Sequence, residues 1–94
     1  MMLQRAHCPS SAALWIMSAR VEEKAGHLIK ARSLLEKARQ CNPGSAELWL
    51  EAARVENRAG LSNVASSLMA KGIIIVIIII ITYYHHYHHS GEMR

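Results

Sequence analysis

The chain repeats itself, and that constrains its fold more than any other feature. A shift of thirty-four residues superposes Pro9 on Pro43, Leu14 on Leu48, Trp15 on Trp49, Arg20 on Arg54, Val21 on Val55, Glu22 on Glu56 and Gly26 on Gly60. Between Pro9–Lys37 and Pro43–Lys71, fifteen of twenty-nine positions are identical. A repeat of this period is one supersecondary unit whose apolar face must be covered by its neighbour, which is how solenoids are built. With 94 residues the chain has room for one small domain, and chains this short bury a comparatively small share of their surface.

Each unit reads as two helices. Leu14, Ser18, Val21 and Ala25 fall at helical spacing in the first unit, as do Leu48, Ala52, Val55 and Ala59 in the second. Ser10 or Ser11, and Ser45 in the second copy, suit the helix starts, where a side-chain oxygen can take up a free amide. Gly26 and Gly60 then end the first helix of each unit, because the left-handed conformation after a helix costs glycine least. Leu28, Ala31, Leu34, Leu35 and Ala38 form the inner face of the next helix. Cys41-Asn42-Pro43-Gly44 stops it, since proline disfavours a helical residue before it. Met1 to His7 read as the last turns of a preceding helix.

The expected fold is therefore all-α, an α-α superhelix of helix-turn-helix repeats. Its segments are the end of a preceding repeat helix (1–8), a first repeat (9–43), a second repeat broken near Lys71 (44–71) and a low-complexity tail (72–94). The expected core comprises Leu14, Trp15, Ala19, Val21, Gly26, Ala31 and Leu34 in one unit, with Leu48, Trp49, Ala53, Val55, Gly60, Ala65 and Leu68 in the other. Ala19, Ala53, Ala31 and Ala65 sit where helices approach closely, and a larger side chain there would force them apart.

From Met1 to Lys71 there are ten Lys or Arg against six Glu and no Asp. Arg20, Lys24 and His27 share one side of the first helix, with Arg54 and Arg58 at equivalent places in the next. Stacked repeats could form a basic stripe from Arg20, Lys24, Arg54 and Arg58, facing RNA phosphates or a partner. The plainer expectation is a solvated face paired with Glu22, Glu23 and Glu56. No aromatic residue is interleaved with those charges, against a surface that stacks single-stranded bases. Cys8 and Cys41 are the only cysteines and suggest neither a disulfide framework nor a zinc site, which fits a reducing compartment.

The segments Leu14-Trp15 through Glu22 and Leu48-Trp49 through Glu56, each followed by a second helix and joined by Asn-Pro or Cys-Pro turns, resemble the half-a-tetratricopeptide repeats of RNA-processing factors. LWLEAARVENRAG followed by NVASSLMAK is similar, more closely, to the C-terminal repeats of the pre-mRNA-processing factor six family, over roughly Gln4 to Lys71. That resemblance implies a nuclear, superhelical scaffold that holds spliceosomal particles together through protein contacts and assembles the tri-snRNP. It carries over structural roles for Trp15, Ala19, Glu22, Gly26, Ala31 and Pro43, and for Trp49, Ala53, Glu56, Gly60 and Ala65. The implied partners are snRNP proteins, with RNA contact weak or indirect; the oligomeric state is left open.

The resemblance stops at Gly72. Ile73 to Ile81 is a run of nine β-branched apolar residues, about 14 Å long as a helix against a hydrocarbon core of about 30 Å. No membrane crossing is expected from so short a block. An interfacial anchor is the lesser reading, and an aggregation-prone segment the better one. Tyr83 through His89 invite a metal reading, because imidazole suits zinc, copper and nickel; no acidic or cysteine ligand is near, so no metal or other cofactor is expected. The residue types match what AT-rich triplets such as ATT, TAT and CAT encode. The tail is therefore expected to be disordered or intron-derived, and the chain could be a non-functional truncated product. His7 beside Cys8 has no counterpart at Cys41, and no constellation supports an enzyme. The alternative to a protein scaffold is a helical repeat that binds RNA directly.

Overall fold

The structure is a computed structural model that describes the backbone of residues 9–91 and the side chains through Tyr87. It contains α1 (Ala12–Lys24), α2 (Leu28–Cys41), α3 (Ala46–Arg58) and α4 (Ser62–Gly91), with no strand among the described residues. The α-α repeat fold is as expected. The expectation for Met1 to His7 lies outside the described residues.

The local signals act twice. Ser11 caps α1, its hydroxyl oxygen accepting from the Leu14 amide at 3.4 Å, whereas Ser45 holds the same position before α3 without a side-chain bond. After α1 the Gly26 amide donates to the Glu23 carbonyl and the His27 amide to the Glu22 carbonyl; after α3, Gly60 and Leu61 donate to Asn57 and Glu56. These are paired Schellman turns. Gly26 and Gly60 sit at φ of +87° and +86°, the conformation the turn requires and an L side chain resists. The tryptophans repeat a bond as well. The Trp15 indole donates to the Pro9 carbonyl at 2.8 Å and the Trp49 indole to the Pro43 carbonyl at 3.0 Å. Each unit thus pins its helix to the proline turn before it, satisfying a polar atom on an otherwise apolar ring.

The core runs between the helices through Trp15, Ala19, Ala31, Leu35, Ala38, Leu48, Ala52 and Val55, with Leu34 and Leu68 packed against it. Ala53 and Ala65 are buried too, so all four small residues lie at close approaches. Four expected core positions are corrected, Leu14 and Val21 among them. Leu14 is 57% exposed and Val21 65%, while their repeat equivalents Leu48 and Val55 are at 0% and 1%. The sequence is equivalent but the surroundings are not. α3 packs against α2 of the preceding unit as well as against its own partner α4, whereas α1 has no preceding unit beside it among the described residues. Trp49 is only half-buried, its ring faced by Arg39 at 5.0 Å and Lys71 at 5.4 Å. Gly26 and Gly60 are exposed turn residues rather than core.

Two further expectations change. Cys41 is disulfide-bonded rather than a thiol, while Cys8 lies outside the described residues. The second repeat is not broken near Lys71 either, and the tail is not disordered through Gly91: α4 continues as one helix of thirty residues. Its first turns pack on α3, burying Ala65 and half-burying Leu68. Such a packed segment supplies the costly nucleus, after which each added residue gains a backbone hydrogen bond. At Gly72 the helix passes so close to α3 that a Cβ would stand 3.3 Å from the Trp49 Cβ and 2.9 Å from the tip of Leu50. Beyond Ile75 the side chains described are all exposed.

Candidate functional site

The face made by the first helices of successive units carries a groove of about 560 Å³ lined by Met17, Arg20, Val21, Glu23, Lys24, Arg54 and Arg58. It contains all four residues of the expected basic stripe. His27 is not among them; its imidazole faces Glu22 at 2.9 Å instead.

Two ion pairs tie the groove's walls together. The Arg20 guanidinium donates from Nε and Nη2 to the two carboxylate oxygens of Glu51, both at 2.9 Å. Arg54 Nη2 donates to Glu23 at 2.9 Å and to Glu51 at 2.7 Å. The forked geometry matches both oxygens of one carboxylate, which a lysine could not do. Each cross-helix pair joins residues thirty-one apart, linking α1 to α3. Burial alone would push the Glu51 carboxyl up, but the hydrogen bonds and charges of Arg20 and Arg54 outweigh it and bring the group down to about 2. The same bonds raise Arg20 and Arg54 above the ordinary arginine value.

The expectation of pairing with Glu22, Glu23 and Glu56 therefore holds for Glu23, which pairs with Arg54 and Arg58, and for Glu22, which faces His27, but not for Glu56. Glu22 serves His27 and Lys30, and Glu56 serves Arg32 at 2.8 Å. Glu51, buried beneath the arginines, is the residue the sequence reading missed. Its repeat equivalent is Met17, so comparing the two units conceals it.

Arg20 and Arg54 are thus occupied with holding α1 to α3. Arg58 reaches Glu23 only at 3.6 Å, and Lys24 makes no ion pair among the described residues. Four cations against Glu23 and Glu51 leave two positive charges uncompensated, mainly toward the Lys24 and Arg58 end. Exposed Met17 and Val21 supply apolar surface beside them. The groove can therefore hold a segment bearing both a carboxylate and an apolar side chain. None of its lining residues is aromatic, which leaves no platform for stacking bases. Among the described residues no group of His, Cys, Asp or Glu is arranged to hold a metal.

No curated protein and no solved structure matches the chain. Residues 12–55 match the family described as tetratricopeptide repeat. Such repeats generally mediate contacts between proteins and are typically non-enzymatic scaffolds. The match covers α1, the glycine turn after it, α2 and most of α3, so this helical stretch is similar to a tetratricopeptide repeat.

Proposed function

We propose that the chain is a protein-interaction segment whose groove between α1 and α3 takes an acidic, partly apolar segment of another protein. The observation that carries the reading is the groove's charge: Glu51 and Glu23 offset two of its four cations, Arg58 shares Glu23 with Arg54 at 3.6 Å, and Lys24 makes no ion pair among the described residues, beside exposed Met17 and Val21. The finer reading is a nuclear scaffold that contacts snRNP proteins during pre-mRNA splicing and tri-snRNP assembly. Its support is the resemblance of Leu48–Lys71 to the repeats of the pre-mRNA-processing factor six family.

The groove is tested by fluorescence anisotropy with a glutamate-rich peptide containing leucine, alongside a single-stranded RNA of equal charge. Lys24→Glu with Arg58→Glu should abolish peptide binding. Binding of the RNA alone, with a steep salt dependence, would instead support the RNA-binding reading. The splicing role is tested by co-purification of the tagged chain with tri-snRNP proteins from nuclear extract, with the same charge-reversed variant as control. Absence of those proteins from the wild-type sample would remove the finer reading and leave the groove as a peptide site.

A further inference from the structure

The outer part of α4 has no role in the groove. From Gly72 to Tyr87 it presents Ile73, Ile74, Ile77, Ile78, Ile79, Ile80 and Ile81 to solvent at 48–59% exposure, followed by Tyr83, Tyr84 and Tyr87 at 60–62%. At about 100° per residue these side chains point in every direction around the axis. Ser62–Tyr87 is long and apolar enough to cross a membrane, and only 11% of its most apolar window is buried, so it is not the core helix of a soluble fold.

We propose that this part of α4 inserts into a lipid bilayer and anchors the repeat to it. The absence of a polar side decides between occupants. A helix that docks in a protein groove, or pairs with a second copy, needs one apolar stripe and keeps a polar back. A helix lying flat in the interface needs a polar face as well. Ile73 to Ile81 has neither, and only surroundings that are apolar on all sides cover it.

Both ends of the rod fit headgroup layers. At the base, Trp49 lies under Arg39 and Lys71, at 5.0 and 5.4 Å from its ring. That collar combines an indole with two cations, the residues that favour the boundary of a bilayer with anionic lipid. At the far end Tyr83 and Tyr87 stack at 4.8 Å, with Tyr84 nearby in the chain, and tyrosine favours the opposite boundary. From Lys71 to Tyr87 the helix rises about 24 Å, short of the roughly 30 Å hydrocarbon core. Outward reach of Lys71 and local thinning of the bilayer close a gap of that size at modest cost. Ser62 to Ala70 need not enter, so Ala65 and Leu68 keep their packing.

The test is flotation of the full chain on a density gradient with vesicles of phosphatidylcholine and phosphatidylserine, followed by high-salt and alkaline carbonate washes. The wild type should float and resist both washes. Ile77→Asp with Ile79→Asp should lower the vesicle-bound fraction, each aspartate by on the order of a hundredfold at mid-depth. Neither position contacts the repeat, so tryptophan fluorescence should remain that of the wild type and exclude misfolding as the cause. Failure of the wild type to float, release by salt, or equal flotation of the variant would overturn the anchor. A stable lipid-free dimer that shields these isoleucines and leaves vesicles unbound would overturn it in favour of a second copy.

Discussion

Glu51 holds the repeat together in a way that pH can interrogate. Its carboxyl stands at an ordinary value of 4.5 when free and about 2 in the folded chain. Between those values the unfolded chain takes up a proton that the folded chain does not. Stability therefore rises with pH across that window, is fully present above 4.5, and is lost as pH falls toward 2. At full strength the difference is worth roughly 3 kcal/mol. Arg20 and Arg54 remain 58% and 35% exposed on their side chains, and solvent screening reduces the measurable share to about 1–2 kcal/mol. Glu51→Gln keeps the shape and removes the charge. Urea unfolding in mild detergent, followed by the two tryptophans, reads the repeat alone because both lie within it. The variant should lose about 1–2 kcal/mol at neutral pH and show a flatter pH dependence between 2 and 4.5. Other carboxylates contribute to both proteins and cancel in the difference. Equal pH slopes for the two proteins would show that Glu51 acts through packing and that the clamp carries no charge-dependent stability.

The two units should respond unequally to equivalent truncations. Leu48→Ala should cost about 3 kcal/mol or more and Leu14→Ala under about 1, measured by the same urea titrations; equal costs would mean that something covers the exposed face of α1. Trp15→Phe and Trp49→Phe, which keep a ring but lose the indole bond to Pro9 or Pro43, should each cost about 1 kcal/mol, with equal stability of variant and wild type arguing against the pin. Gly26→Ala and Gly60→Ala should each cost about 1–2 kcal/mol because of the positive φ, and a stabilising result would exclude the left-handed turn. Long-read sequencing of transcripts across the Lys71 and Gly72 codons should show messages that splice into a further helical repeat if the tail is intronic; messages that encode only the isoleucine run would end that explanation.

The legible parts of this fold were those that each unit determines by itself. A glycine after a helix, a proline after the next one and alanines at the crossings require no knowledge of the neighbours, and Gly26, Gly60, Ala31 and Ala53 sit where their residue types direct. Properties set between units were harder to read. Leu14 and Leu48 occupy identical positions, and only the presence of α2 against α3 buries one and not the other. Glu51 pairs with Arg20 across thirty-one residues, a relation that exists only once α1 lies beside α3, and Met17 at the equivalent position gives no hint of it. The Trp15 and Trp49 bonds were accessible in principle, since a proline stands six residues before each tryptophan. The isoleucine run shows the same division between local and contextual causes. Taken alone, nine β-branched residues form a poor helix, whereas the expected break near Lys71 followed from the end of the repeat resemblance at Gly72. Joined to a segment already packed on α3, they need no nucleus of their own, so propensity costs of a few tenths of a kcal/mol per residue do not stop elongation. It follows that the tail's helicity depends on Ala65 and Leu68: loosening that packing would weaken the outer helix although none of its own residues had changed.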